Sequence, residues 1–289
     1  MALPWPVVDT HCHVIAPDTA RYPLQPMGGK QSDWSRERPV DAAGMIAAMA
    51  EAGVAQAVLV QASTCYGHDS SYTRDCVQAQ PGRFIGVYSI DLLAPDAVQQ
   101  AAQWQSQGMA GMRFFVAGHS MAHHDLRLDD PRAEAVWRYA SDQGIPVCVQ
   151  IRAGGLPQLE AVLTRFPQVT VLLDHLARPT LEDGPPYAQA DSLWALARFP
   201  RLNFKLTTHN FLESAQGRST PQVFCEAAVR RFGAQRLAWG SNFPASAGGL
   251  SHQLKLALDG TATLSDEDRA WIFSGTARRL YPSLGLGPQ

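Results

Sequence analysis

The chain has 289 residues, 46% of them hydrophobic, and carries 24 Lys and Arg against 26 Asp and Glu for a formal net charge of -2. So even a balance argues against a general nucleic-acid or anionic-membrane binder, and no apolar run is long enough to span a bilayer. The length suits one α/β barrel of about 250 residues, so residues 1–289 are expected to form a single domain. The opening MALPWPVVD lacks the basic and apolar segments of a signal peptide. Five cysteines (Cys12, Cys65, Cys76, Cys148, Cys225) are odd in number, scattered and free of CxxC spacing. That is the pattern of reduced thiols in a cytoplasmic protein.

In chain order, VVDTHCHV (Val7 to Val14) comes first. Side chains in a strand alternate faces, so His11 and His13 project together and Cys12 points away from them. Ile15 to Pro39 follows, with Pro17, Pro23, Pro26, Gly28, Gly29 and Pro39, and reads as a long loop over the strand end. Trp34, Arg36 and Arg38 are its candidate substrate contacts. VDAAGMIAAMAEAG is a helix stopped at Gly53, and VAQAVLVQAS a strand ending near Gln61 to Ser63. The polar turn CYGHDS leads into a helix from Ser71 to Gln80, broken by Pro81-Gly82. FIGVYSID is the third strand. PDAVQQAAQWQSQG is a helix with Pro95 and Asp96 at its start and Gly108 at its close.

The fourth strand, MAGMRFFV, carries Arg113. The loop behind it holds His119, His123 and His124, a cluster suggestive of a metal but read as solvated. PRAEAVWRYASDQG is helical, and the fifth strand, PVCVQIR, ends at Gln150 and Arg152. Gly154-Gly155 introduces the helix LPQLEAVLTRFP. The sixth strand, VTVLLDHLARP, is read as ending in Asp174, His175 and Arg178. After helical DSLWALARFP, the seventh strand LNFKLTTHN is read as carrying both Lys205 and His209. The helix TPQVFCEAAVRRFG leads to the eighth strand, RLAWGSNFPAS, ending at Ser241 and Asn242. Helices from Leu250 to Leu258 and Asp266 to Ser274, with GTARRLY as a cap, close the chain.

Eight strands each followed by a helical segment predict the α/β class: a single (β/α)8 TIM barrel with a long loop after strand 1 and extra C-terminal helices. A doubly wound open sheet is the alternative, but the first strand-helix turn has no GxGxxG loop. The strand ends of a barrel meet at one mouth, which gathers His11, His13, Gln61, Ser63, Arg113, Gln150, His175, Arg178, Lys205, His209 and Asn242. The set is rich in cationic and neutral donors and poor in carboxylates, which favours an anionic substrate or a developing oxyanion.

DTHCH, MRFF, DHLARP and WGSNFP, in that order over nearly the whole chain, resemble the amidohydrolase superfamily. Within it they look like the branch of 2-pyrone-4,6-dicarboxylate lactonase and the sugar-lactone hydrolases. Superfamily metal sites usually join the strand-1 HxH to histidines from strands 5 and 6 and an aspartate from strand 8. Here Gln150 and Asn242 stand at two of those places, and an amide is a poor ligand for a transition metal. The branch's pyrone lactonase works without a metal, its histidines polarising the carbonyl and its arginines binding carboxylates. The resemblance therefore implies His11, His13 and His175 as catalytic, with Arg113 and Arg178 clamping a carboxylate. Ser63, Gln150 and Lys205 complete the expected substrate-binding group. The strand-8 aspartate is the pattern's general base, a task Asn242 cannot perform. His209, four residues past Lys205, is the candidate substitute.

The reading is thus a hydrolase that opens a small carboxylated lactone or related cyclic ester, with a small anionic molecule as its partner and no cofactor. Two alternatives stay open. One is a metal-dependent hydrolase or non-oxidative decarboxylase of an aromatic or unsaturated acid, with zinc or manganese on His11, His13 and His175. The other is a catalytically inactive small-molecule-binding barrel. Individual residues also have duller roles available. Arg113 and Arg178 would serve as ion-pair partners at strand ends, Lys205 would neutralise Asp174 or Asp9, and Gln150 and Ser63 would satisfy loop backbone. Cys65, beside Tyr66, is a further nucleophile candidate.

Overall fold

The computed structural model describes residues 3–116 and 126–285. One sheet of eight parallel strands runs in chain order: β1 (Val7–Cys12), β2 (Val54–Val60), β3 (Phe84–Ser89), β4 (Gly111–Phe115), β5 (Val147–Gln150), β6 (Val171–Leu173), β7 (Leu202–Thr207) and β8 (Leu237–Gly240). The circle is completed just beyond β8, where Asn242 N donates to His11 O at 2.7 Å and His13 N donates to Phe243 O at 2.9 Å. The result is the expected (β/α)8 barrel with extra C-terminal helices. The bonds that close it run through three of the predicted site residues. His119, His123 and His124 lie outside the described residues.

Strand alternation sorts the apolar side chains into two cores. Met45, Met49, Phe114, Trp137, Leu159, Phe204, Phe224 and Trp239 pack between the sheet and its helices. Val8, Val58, Val60, Ile85, Val87, Cys148 and Leu172 fill the barrel's interior. Ala277, Leu280, Tyr281 and Leu284, from the helix Thr276–Leu280 and the turn after it, join this inner core. Each Val, Leu, Ile, Phe or Met among them contributes about 1.5–3 kcal/mol on full burial. With its lower half filled by hydrocarbon, the barrel keeps its polar groups for the C-terminal ends of the strands.

Four local readings need correction. The loop from Ile15 to Pro39 contains a short helix, Asp33–Glu37, and the polar turn after β2 opens with a helical turn, Ser63–Tyr66. β6 stops at Leu173. His175, Leu176, Ala177 and Arg178 then adopt φ of 55°, 50°, 58° and 51° in succession. Left-handed backbone costs a residue with a side chain roughly 1–2 kcal/mol, and here Asn210 Nδ2 props the turn by donating to His175 O at 2.8 Å. His209 is not on a strand: Thr207 N donates to Asn210 Oδ1 at 2.9 Å, and the chain turns at once into the helix Thr208–Ser214. No helix among the described residues is long and apolar enough to cross a membrane.

Candidate active site

A cavity of about 690 Å³, counting its open mouth, sits over the strand ends. His13, Ser63, Arg113, Gln150, His175, Arg178, His209 and Asn242 line it, joined by Ser32, Trp34, Thr64, Phe115 and Arg152. No Asp or Glu is among its described lining residues. The long loop reaches it through Trp34, whose ring stacks on His13 at 5.4 Å. The other loop candidates turn elsewhere: Arg36 pairs with Asp33, and Arg38 donates to Ala245 O at 3.2 Å. Cys12, Cys65 and Gln61 are buried without lining the cavity. Burial also pushes the Cys65 thiol up, away from a reactive thiolate.

Beneath the cavity lies a floor of buried charge. Asp174 takes Arg113 Nη2 at 3.1 Å and Nε at 3.2 Å on one oxygen, and Lys205 Nζ at 3.1 Å on the other. Arg113 also donates to Gln61 O at 3.0 Å and reaches Gln150 Oε1 at 3.5 Å. Burial raises the Asp174 carboxyl's pKa, but Lys205, His11 and Arg113 outweigh it and hold the group well below the usual range. Lys205 is completely buried and does not line the cavity, so its expected contact with substrate is corrected. Its ammonium is spent on Asp174, Cys148 and His11. Asp9, also fully buried, accepts from Ser241 Oγ at 2.5 Å and from the backbone N–H groups of Ser241 and His11 at 2.9 Å. It thereby ties β1 to the end of β8, and burial pushes its pKa up to about 6.

The histidines form a contiguous group. The His11 ring lies 4.9 Å from that of His13 and 4.8 Å from that of His175, and His209 lies 5.2 Å beyond His175. His13 Nδ1 is 2.8 Å from Val60 O. A carbonyl only accepts, so Nδ1 carries the proton. Burial, with His11 and Arg113 nearby, keeps the ring's pKa well below its ordinary value, so it is neutral and Nε2 bears a lone pair. The expectation that His13 polarises a carbonyl is therefore corrected: as placed, it accepts.

His175 Nδ1 is 2.8 Å from Thr207 Oγ1, which also lies 3.3 Å from Asn210 Oδ1. Asn242 sits at φ 60°, a conformation Asn tolerates. Its amide nitrogen reaches Ser246 Oγ at 3.0 Å and His209 Nε2 at 3.2 Å. Among the described buried polar atoms here without a hydrogen-bond partner are Ser63 Oγ, His11 Nε2 and Asp174 Oδ1, the last held by Lys205 as an ion pair. His11 itself does not line the cavity but lies under His13 and His175.

At the rim, Arg178 Nε donates to Glu213 at 2.6 Å. Arg152 shares the cavity, and burial followed by repulsion from Arg178 lowers its pKa. Sequence reasoning placed Arg152 at a strand end without assigning it to the site. The signal was available, since it stands two residues past Gln150 and so on the same strand face. Glu213 carried no such signal, because it lies on the helix that replaces the predicted end of β7.

The family resemblance raises a divalent metal on His11, His13 and His175. Among the described residues no group of three or more His, Cys, Asp or Glu is arranged to hold one. The two remaining ligands would fall on the amides of Gln150 and Asn242, and an ammonium stands 3.2 Å from His11 Nδ1. As placed, these residues do not fit such an ion.

The chain is 25% identical to 4-sulfomuconolactone hydrolase of Hydrogenophaga intermedia, over 96% of this chain and 89% of that protein. It is 28% identical to L-fucono-1,5-lactonase of Burkholderia ambifaria, over 68% of each. Its fold is similar to the crystal structure of an amidohydrolase from Burkholderia multivorans with bound zinc, with a TM-score of 0.76 and 22% identity over 96% of this chain and 99% of that one. Residues 8–283 match the amidohydrolase family, and with a barrel whose strand ends gather these histidines and arginines, the chain belongs to that family and is an enzyme of the hydrolase type.

Proposed function

We propose that the protein is a lactonase that opens a small lactone, or related cyclic ester, bearing a carboxylate or comparable anionic group, and does so without a metal. The observation that carries this reading is the cavity's lining, in which three arginines and three histidines converge with no carboxylate among the described residues. An anion matches the fork geometry of those guanidinium groups far better than a neutral group does. The two lactone-hydrolysing relatives support the reaction class.

In this mechanism Arg152 and Arg178 orient the anionic group. Gln150, whose carbonyl oxygen faces Arg113, turns its amide nitrogen to the substrate, and the Ser63 hydroxyl donates beside it. His13 Nε2, with His175 beside it, accepts a hydrogen bond from one proton of the attacking water. His209 Nε2 releases the Asn242 amide and takes the other proton as the oxygen adds to the carbonyl carbon. The tetrahedral oxyanion collapses, the ring C–O bond breaks, and the proton on His209 passes to the departing oxygen. One water is consumed, and one acid and one hydroxyl are formed. The five described cysteines are all free and buried, which supports a reducing, cytoplasmic setting.

Acid release from a panel of lactones tests this. A carboxylated lactone should be opened with kcat/KM about tenfold to a hundredfold above its neutral amide analogue, the range of one or two charge-assisted hydrogen bonds. Equal rates for the two, or no lactone opened, would sink the proposal. His209→Ala should lower kcat about a hundredfold or more at unchanged stability; full activity in that variant would remove His209 as the base.

A further inference from the structure

We propose that Lys205 is a positioning residue that fixes the tautomer of His11, placing the ring proton on Nε2 and making His11 the buried hydrogen-bond donor of the site. Lys205 Nζ lies 3.1 Å from Asp174 Oδ1, 3.1 Å from Cys148 Sγ and 3.2 Å from His11 Nδ1. An ammonium has three protons and no lone pair, so His11 Nδ1 and Cys148 Sγ accept from it, while Asp174 Oδ1 faces it as an ion-pair partner. A nitrogen that accepts is unprotonated, and a neutral imidazole then carries its proton on the other side. Among the described residues, Asp174 Oδ1 is the competitor for a proton on Nδ1. It is farther from that nitrogen, at 3.4 Å, and already faces the ammonium.

The backbone of His11 is held at both ends, its N–H by Asp9 Oδ1 at 2.9 Å and its carbonyl by Asn242 N at 2.7 Å. The side chain is therefore delivered to Lys205 in one place. Burial and the neighbouring cations keep the ring neutral against Asp174, with a pKa pushed down to about 4.

The consequence lies on the opposite edge of the ring. His11 Nε2 is buried without a partner, under His175 and under His13, whose Nε2 presents a lone pair. An N–H at this place selects an oxygen that can receive a hydrogen bond, and a carbonyl oxygen gaining charge on attack meets that need best. The identity of that acceptor rests on the lactonase reading; the tautomer does not.

The test is a long-range proton–nitrogen correlation spectrum of protein labelled with [15N]histidine, with His11 assigned by its loss in His11→Asn. In the wild type, His11 should have Nε2 protonated and Nδ1 bare. Lys205→Met keeps the length and removes the cation, leaving Nδ1 facing Asp174 alone, so the pattern should invert. A wild-type spectrum with Nδ1 protonated, or the same tautomer in Lys205→Met, overturns the proposal. If Lys205→Met does not fold, Lys205→Arg keeps a cation opposite Nδ1 and should keep the tautomer; Nδ1 protonation there or in the wild type overturns it equally. On a lactone that the wild type opens, Lys205→Met should lower kcat about a hundredfold with KM within about threefold, as for loss of one transition-state donor. An inverted tautomer with unchanged kcat would leave the role of Lys205 standing and count against the carbonyl as the acceptor.

Discussion

The floor and the rim of the barrel mouth are both built of charged side chains, yet they solve opposite problems. On the floor, Arg113, Lys205, Asp174 and Asp9 are buried, and two cations stand with two carboxylates. The cations there are paired with a carboxylate inside the protein. At the rim, Arg152 and Arg178 lie beside each other and share the cavity with His209. Charge on the floor holds geometry, and charge at the rim is placed where an anion arrives. A residue's type therefore does not decide its role; the depth at which its strand ends does.

The largest effect should come from breaking the floor. Asp174→Asn keeps the shape and leaves two buried cations without their counter-ion, which should cost about 3–5 kcal/mol. Denaturant unfolding would measure it, and a loss under about 1 kcal/mol would mean that the floor is not the paired network described.

Acid should test the same region more gently. His11 is held at a pKa of about 4 against 6.5 when unfolded, and His13 and His175 are also lowered by burial. Between those values the unfolded chain binds protons that the folded one refuses, so stability present above pH 6.5 is lost as pH falls toward 4. Asp9 works in the opposite sense: its folded pKa of about 6 exceeds the unfolded 3.8, so it regains stability as pH falls through that interval. Asp9→Asn should therefore steepen the acid loss by about 3 kcal/mol, because each tenfold change in proton affinity is worth about 1.4 kcal/mol. Unfolding midpoints at several pH values give the slope, and a shallower slope in the variant would reverse the assignment.

The rim should respond in binding and hardly at all in stability. Arg152→Ala should change unfolding free energy by less than about 0.5 kcal/mol, as partly exposed substitutions do. On an anionic lactone it should raise KM about tenfold or more, for one charge-assisted bond lost. A large stability loss with unchanged KM would move Arg152 from the rim's function to the floor's.

Much of this was legible beforehand. Eight apolar runs followed by helical periodicity specify the barrel, and the two-residue spacing of His11 and His13 sets both rings on one side of β1. What escaped was depth and local turn geometry. Alternation puts Lys205 inside the barrel, but only the register with β6 and β8 sets it below the cavity rather than in it. The left-handed run from His175 to Arg178 has no glycine to announce it, because its support comes from Asn210, more than thirty residues away. His209 looked like a strand residue because Thr207 and Asn210 reveal themselves as a helix start only once their mutual bonding is seen.

The central claim is that imidazoles, amides and guanidinium groups suffice for the reaction. Activity of protein stripped with a strong chelator, with residual metal measured alongside, tests it most directly. Hydrolysis of a carboxylated lactone should persist at full rate with metal far below one ion per chain. Loss of turnover on stripping, restored by adding back zinc or manganese, would contradict it.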